Sequence, residues 1–218
     1  DEVEKGKLSM DSFLNGNIYG MWTDCRQFED MFQYLCHTQA TNNRIFVAGI
    51  DNFLHGTHSI NKLKQEVEHT LTSANIPFVK SERYSRYFLP MIDTAIFYSS
   101  RQRAFKDQLQ IKNFLLCIDT VLGQLKAKGD NRSQGLMAIE NIRSTCTFLL
   151  TRDAGTHRDR FAERDKQMAV NLEWLLKIKY PKEKIIVWAA NGHITKNASD
   201  ATKPKEYSYH SFGQHFSE

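Results

Sequence analysis

The chain has few cysteines, and none of them is placed for metal binding or for redox chemistry. No two of the four form a C-x-x-C pair, and no nearby histidine completes a zinc-ligand spacing. The four are Cys25, Cys36, Cys117 and Cys146. Each lies in an apolar helical pattern, which is typical of a small buried hydrophobic residue. We therefore expect no metal and no cofactor, and the isolated thiols favour a reducing, cytoplasmic compartment over the periplasm.

The sequence also lacks long apolar runs and basic clusters. No apolar run reaches the roughly 20 residues that cross a bilayer, and the charged start from Asp1 to Lys5 is unlike the apolar core of a signal peptide. The net charge is only +4, and basic residues alternate with acidic ones, as in Lys182-Glu183-Lys184. Nucleic-acid-binding proteins usually gather basic residues on one element. We therefore expect neither a membrane span nor a nucleic-acid partner.

Apolar residues recur at helical spacing over most of the chain. The predicted helices cover 24–38, 60–74, 81–99, 105–125, 136–149 and 158–178, and a further helix is expected to begin within 209–218. We expect Ser59 to cap the second helix and Pro90 to kink or split the third. Gly129 is expected to end the fourth. The first twenty residues are polar and predict irregular structure.

Two segments, 44–50 and 184–189, are predicted to be strands. Both are continuous apolar runs rather than alternating ones, which is typical of parallel strands covered by helices on both faces. The expected fold is therefore α/β: helix-rich, with a short, mostly parallel sheet between helices. Because such sheets commonly have about 4–6 strands, we interpret residues 1–218 as a single domain that forms the central and C-terminal part of a larger one.

Polar residues follow both predicted strands. Asp51 comes after the first strand, and Asn191-Gly192-His193 comes after the second. Ligands of parallel α/β sheets bind beyond the carboxyl ends of the strands, so Asp51 and His193 would face one crevice if the strands are parallel neighbours. A histidine there is suited to general acid or base catalysis near neutral pH. The alternative is a loop histidine bonded to backbone, and its position does not separate the two.

A carboxylate lies on the apolar face of the predicted helix 158–178. The apolar residues of that face are Phe161, Met168, Leu172 and Leu175. Asp165 lies on the same face, and Arg164 flanks it. A buried carboxylate is costly unless it is paired or functional. The alternative to a functional Asp165 is a structural ion pair with Arg164 or Arg160, or a bond to neighbouring backbone.

Two strings in the C-terminal half match motifs of a known family. The string from Arg164 to Leu175 resembles the R-D-x-x-M-A-x-N-x-x-W-L helix of the erythromycin esterase-like family, and the string from Val187 to Ile194 resembles its V-W-A-H-N-x-H strand and loop. Shorter likenesses to its W-x-T, G-F-D and M-G positions occur at Trp22-Thr23, Val47 to Asp51 and Ser211 to His215. The resemblance covers nearly the whole chain in order.

The resemblance implies a hydrolase. The best-known members of that family open the lactone ring of macrolides; histidines and carboxylates activate a water, without a covalent serine, and the enzymes are regarded as metal-independent. By motif position it implies catalytic roles for His193, Asp165 and Arg164. Asn191 and Asp51 are candidates for binding the substrate. The implied partner is a small-molecule ester or lactone, whose identity stays open, as does the oligomeric state.

The sequence departs from the family pattern in two places. Ala190 stands where the family loop has its first histidine, and the N-terminal G-E-x-x-H-G-x-x-E motif with the main catalytic histidine is missing. His55-Gly56-Thr57 resembles the H-G-T part of that motif, which makes His55 a further candidate for binding the substrate. Its alternative is a turn ahead of the Ser59 cap. The sequence therefore leaves two hypotheses, a hydrolase and a degenerate, non-catalytic module that binds a small molecule.

Overall fold

The computed structural model describes residues 3, 6–98, 104–154, 157–196 and 210–217. The chain divides into two compact units. The first comprises Asp1–Gly49 and His55–Lys62, and the second comprises Ile50–Leu54 and Leu63–Glu218.

The first unit contains helices α1 (Met10–Asn17), α2 (Gly20–Thr23) and α3 (Glu29–Thr38), with a 3-10 turn at Arg26–Phe28. The prediction that the first twenty residues are irregular is wrong. The Ser9 hydroxyl accepts the backbone N–H of Ser12 and caps α1, and Met10 and Leu14 are buried. A cap and two buried residues are enough to hold a short helix that is otherwise polar.

The second unit is built from seven helices among the described residues. They are α4 (Lys64–Ser73), α5 (Leu89–Ile96), α6 (Gln108–Ala127), α7 (Gln134–Ala154), α8 (His157–Trp174), α9 (Asn191–Ile194) and α10 (Phe212–His215). Gly129 has a φ of 84° just beyond α6, as the predicted helix end requires. No helix in the described ranges is long and apolar enough to cross a membrane.

The two remaining local predictions concern Pro90 and Ser59, and both residues lie at or next to a π-helical turn. Pro90 lies in the first turn of α5, directly after a π-helical turn at Tyr84–Phe88, and the chain stays helical from residue 82 to residue 96. Pro90 therefore does not split the predicted helix, and the kink stays a prediction. Ser59 begins a π-helical turn, Ser59–Leu63, and the two residues before it are already helical. The prediction that Ser59 caps the helix is therefore wrong. A third π-helical turn, Leu175–Lys179, extends α8.

The main core of the second unit lies among α4, α5, α6 and α7. Its fully buried members include Val67, Leu71, Phe88, Ile92, Phe114, Ile118, Leu125, Ile139 and Ile142. Cys117 and Cys146 are buried in this core, and burial raises the pKa of both thiols. A second, smaller core joins α8 to α10 through Met168, Ala169, Leu172 and Phe212. This smaller core lies beside the candidate site.

The predicted parallel sheet is wrong: the described residues contain helices and no strand. The segments 44–50 and 184–189 are non-helical, but neither makes the ladder of backbone hydrogen bonds that defines a strand. Their apolar side chains are not covered on both faces either, since Ile186 is 95% exposed and Trp188 is 44% exposed. An apolar run shows which residues are hydrophobic, but it does not provide the neighbouring strand with which the backbone would pair.

Candidate functional site

Asp165 forms the centre of the candidate site. It lies on α8 beside Met168, and its side chain is completely buried. Its Oδ1 lies 2.6 Å from Nδ1 of His193, and its Oδ2 accepts the backbone N–H of Phe212 at 2.9 Å. Both carboxylate oxygens are therefore hydrogen-bonded, which offsets the cost of burying the charge. The sequence placed Asp165 on this buried face; its partners turn out to be His193 and Phe212 rather than an arginine.

The contact with Asp165 determines which ring nitrogen of His193 carries the hydrogen. An ionised carboxylate only accepts hydrogen bonds, so Nδ1 of His193 carries the hydrogen. In the neutral imidazole the lone pair then lies on Nε2, which is the arrangement of a general base oriented by a carboxylate. The His193 side chain is 14% exposed. The alternative of a loop histidine held only by backbone does not describe this ring.

The segments that carry His193 and Phe212 are tied together. The Ser211 hydroxyl donates to the carbonyl of Thr195. A Cβ added to Gly213 would overlap the carbonyl oxygen of Ile194. Glycine therefore permits α10 to approach the end of α9 at backbone distance. This close approach places both hydrogen-bond donors around Asp165.

Arg164 and Asp51 form a second polar pair in the same unit. The Arg164 Nε and Nη2 atoms donate to the two Asp51 oxygens at 3.0 and 2.5 Å, a bidentate ion pair with two parallel bonds. The guanidinium also lies 4.3 Å from the centre of the Phe53 ring. Both side chains are largely buried, at 14% and 29% exposure. Such a pair fixes the segment Ile50–Leu54 against α8.

Buried amides and hydroxyls hold the backbone of the same segment. Asn171 on α8 donates to the carbonyl of Ile50 at 2.8 Å, and Thr145 on α7 donates to that of Asn52 at 2.8 Å. The Asn52 amide in turn donates to the Ser144 hydroxyl at 2.8 Å. The first two bonds satisfy backbone carbonyls that an unpaired segment would otherwise leave buried and costly. Asn171 belongs to the motif that runs from Arg164 to Leu175, whereas the sequence analysis did not single out Asn52, Ser144 or Thr145; polar side chains in apolar helical patterns were the available signal for Ser144 and Thr145.

Glu163 is a further group that sequence reasoning missed. Burial raises the pKa of its carboxyl, although the cations Lys166 and Arg143 and a hydrogen bond from Ser144 oppose the shift. A carboxyl with a raised pKa beside a polar cluster is typical of functional sites, and also of structural ones. Nothing in the sequence distinguishes Glu163 from a solvated helix residue.

The remaining predicted residues are less informative. Asn191 begins α9, is exposed, and its carbonyl accepts the Thr195 hydroxyl at 2.6 Å. His55 is exposed and belongs to the first unit, whereas the two polar pairs belong to the second. The roles of Asn191 and His55 in binding a substrate stay predictions. Within the described ranges, no three His, Cys, Asp or Glu side chains are grouped so that they could hold a metal ion.

Comparisons with other proteins agree with the motifs around this site. The family model described as erythromycin esterase matches residues 2–218. A crystal structure of a Bacillus cereus protein shares the fold, with a TM-score of 0.60 and 18% identity over 88% of this chain. The chain spans 46% of the length of that protein. Among curated proteins, none matches the chain. Because the family match covers almost every residue, the chain belongs to the erythromycin esterase family.

Proposed function

We propose that this chain carries hydrolytic chemistry, the cleavage of a small-molecule ester or lactone by a water activated at His193. The buried Asp165 carboxylate, 2.6 Å from Nδ1 of His193, is the observation that supports this most strongly. It leaves Nε2 as the basic atom. Membership of the erythromycin esterase family supports the reaction class.

In this mechanism the Nε2 atom of His193 takes a proton from water as the water attacks the ester carbonyl carbon. The tetrahedral intermediate then collapses, the ester C–O bond breaks, and the imidazolium gives its proton to the leaving alkoxide oxygen. Asp165 holds the ring in the required tautomer and stabilises the imidazolium that forms. The Phe212 N–H keeps the Asp165 carboxylate in place. Arg164 is paired with Asp51. While it keeps this partner, Arg164 anchors the substrate or stabilises the negative charge that develops on the carbonyl oxygen. Asp51 orients the guanidinium, and Asn191 and His55 remain candidates for substrate contact.

Replacement of His193 tests the proposal. With the chain assayed against a panel of p-nitrophenyl esters and lactones, we expect His193→Ala to lower kcat by on the order of 10²–10⁴, because the base is lost. Asp165→Asn should lower kcat more than it changes KM, because it disturbs the ring rather than the substrate. His69→Ala, an exposed histidine on α4, is the matched control. Hydrolysis that survives His193→Ala contradicts the proposal.

A second candidate function is a non-catalytic module that binds a small molecule. The observation in its favour is Ala190, whose methyl group cannot transfer a proton where the family loop has a histidine. The coding sequence upstream of Asp1 distinguishes this binding module from the hydrolase. A G-E-x-x-H-G string there would supply a second histidine and would agree with our proposal that residues 1–218 form part of a larger domain. Its absence would favour the binding module.

A further inference from the structure

An apolar groove of about 410 Å³ lies beside the Asp165–His193 pair. Its lining includes Leu172, Val187, Ile194, Lys196, Phe212 and Phe216. The groove shares Phe212 with the site, because the backbone of that residue bonds to Asp165. Ile194 directly follows His193 in α9. Ligand-binding clefts commonly have volumes of roughly 300–1,000 Å³, so the groove has the size of a small-molecule site.

Three hydrophobic side chains in the groove lining are partly exposed to water. Ile194 is 44% exposed, Phe216 is 47% exposed and Val187 is 39% exposed. Leu172 and Phe212, which also line the groove, belong to the buried second core. An apolar ligand in this groove would cover side chains that now contact water, which is favourable in proportion to the area covered.

The charge in the described part of the groove lining has one sign. Lys196 is the only ionisable side chain in its lining as the described residues define it, and it lies three positions after His193. An ammonium group beside an apolar wall complements a ligand with a hydrocarbon body and an anionic end. A cationic ligand of the same shape would meet a like charge. The lining therefore distinguishes ligands by the sign of their charge as well as by their hydrophobicity.

We infer that the groove binds an amphipathic carboxylate, with its hydrocarbon part against Ile194, Phe212 and Phe216 and its carboxylate beside Lys196. This inference rests on the proposed function, for which it names the substrate class. That class is an ester or lactone whose apolar body carries an anionic group. The groove holds this body while the scissile carbonyl lies towards His193.

Binding can be measured without any hydrolysis. In a ¹H–¹⁵N NMR titration of the chain with octanoate, we expect the amide signals of Ile194, Gly213 and Phe216 to shift. Octylammonium, which has the same chain length, should bind about fivefold more weakly, since a partly exposed ion pair contributes up to about 1 kcal/mol. Equal binding of octanoate and octylammonium would overturn the inference.

Variants locate the site. Lys196→Gln should weaken octanoate by about fivefold and abolish its advantage over octylammonium. Phe216→Ser should weaken both ligands by about tenfold, because buried aromatic contact is lost. The matched controls are Lys112→Gln and Leu116→Ser on α6, both exposed and outside the groove. A loss of affinity that is as large in the controls as in the groove variants would contradict the site.

The same panel separates the two proposals. Selective octanoate binding in the groove, without hydrolysis of any ester that depends on His193, would overturn the hydrolytic function and leave the binding site standing. Hydrolysis that depends on His193 but shows no preference for esters with an anionic group would overturn the groove inference and leave the function standing.

Discussion

At the scale of the residue, the site consists of charged groups whose partners come from other elements. Asp165 is paired with His193 and with the backbone of Phe212, and Arg164 with Asp51. Each partner completes a burial that would be unfavourable alone. A single substitution in either pair therefore leaves the opposite charge without a partner, and its effect should exceed that of losing one contact.

Glu163 gives a prediction of pH dependence at this scale. Because burial raises its pKa in the folded chain, the folded state holds this proton more tightly than the unfolded state does. The associated stability is present below the unfolded pKa, about 4.3, and is lost as the pH rises through the folded pKa. Glu163→Gln removes this loss, so its free energy of unfolding should fall less than that of the native chain as the pH rises.

Urea unfolding at a series of pH values from about 4 to about 8 measures this difference. Glu173→Gln, an exposed residue on the same helix, is the control and should leave the pH dependence unchanged. Parallel curves for the native chain and Glu163→Gln would contradict the raised pKa.

The sequence predicts part of this site. Asp165 is recognisable because it interrupts an apolar face, and His193 because it follows a distinctive string. Their contact is not encoded locally, since 28 positions separate them and α10 completes the arrangement. Glu163 is not recognisable at all, because its surroundings depend on how α7 packs on α8.

At the scale of the element, periodicity was a good guide to helices and a poor guide to strands. The long helices α6, α7 and α8 lie where recurring apolar residues predict them. The segment 184–189 has an equally clear apolar pattern but no pairing partner in the described chain. A helix satisfies its own backbone groups, whereas a strand depends on a neighbour that its own sequence cannot specify.

Two glycines provide a test of how closely the elements pack. A Cβ on Gly213 would meet the backbone of Ile194, whereas a Cβ on Gly123 in α6 would meet nothing within 4 Å. We expect Gly213→Ala to destabilise the chain by about 1–3 kcal/mol, because α10 must move away from α9. Gly123→Ala should instead stabilise it by about 0.5–1 kcal/mol, since alanine favours a helix interior.

Chemical denaturation of both variants gives the comparison. The Gly213→Ala chain should also lose activity or ligand binding at the site, because the geometry around Asp165 depends on the same approach. If both alanines stabilise the chain equally, the close approach of α10 to Ile194 is not present in solution.

At the scale of the whole molecule, the charged groups of the site lie outside the four helices that form the main core of the second unit. The core lies among α4 to α7, while the site uses α8, α9, α10 and the segment Ile50–Leu54. This division explains why the helical core was predictable from apolar spacing alone. The site depends on connections that the spacing does not report.

Two isoleucines test where the core lies. Ile92 in α5 is fully buried, and Ile186 in the predicted strand is 95% exposed. We expect Ile92→Ala to cost about 2–5 kcal/mol of unfolding free energy, and Ile186→Ala to change it by no more than about 0.5 kcal/mol. Urea unfolding measures both. A cost above about 2 kcal/mol for Ile186→Ala would indicate a buried strand after all.

The bidentate pair between Asp51 and Arg164 also bears on the order in which the chain assembles. It joins residues 113 positions apart, whereas the contact between Asp165 and His193 spans 28. Closing the longer loop costs about 1 kcal/mol more conformational entropy. During synthesis the Asp51 segment leaves the ribosome well before its arginine. The carboxylate therefore stays hydrated until α8 has formed, and on the ribosome the arginine pair can close before His193 has been made, despite its larger loop.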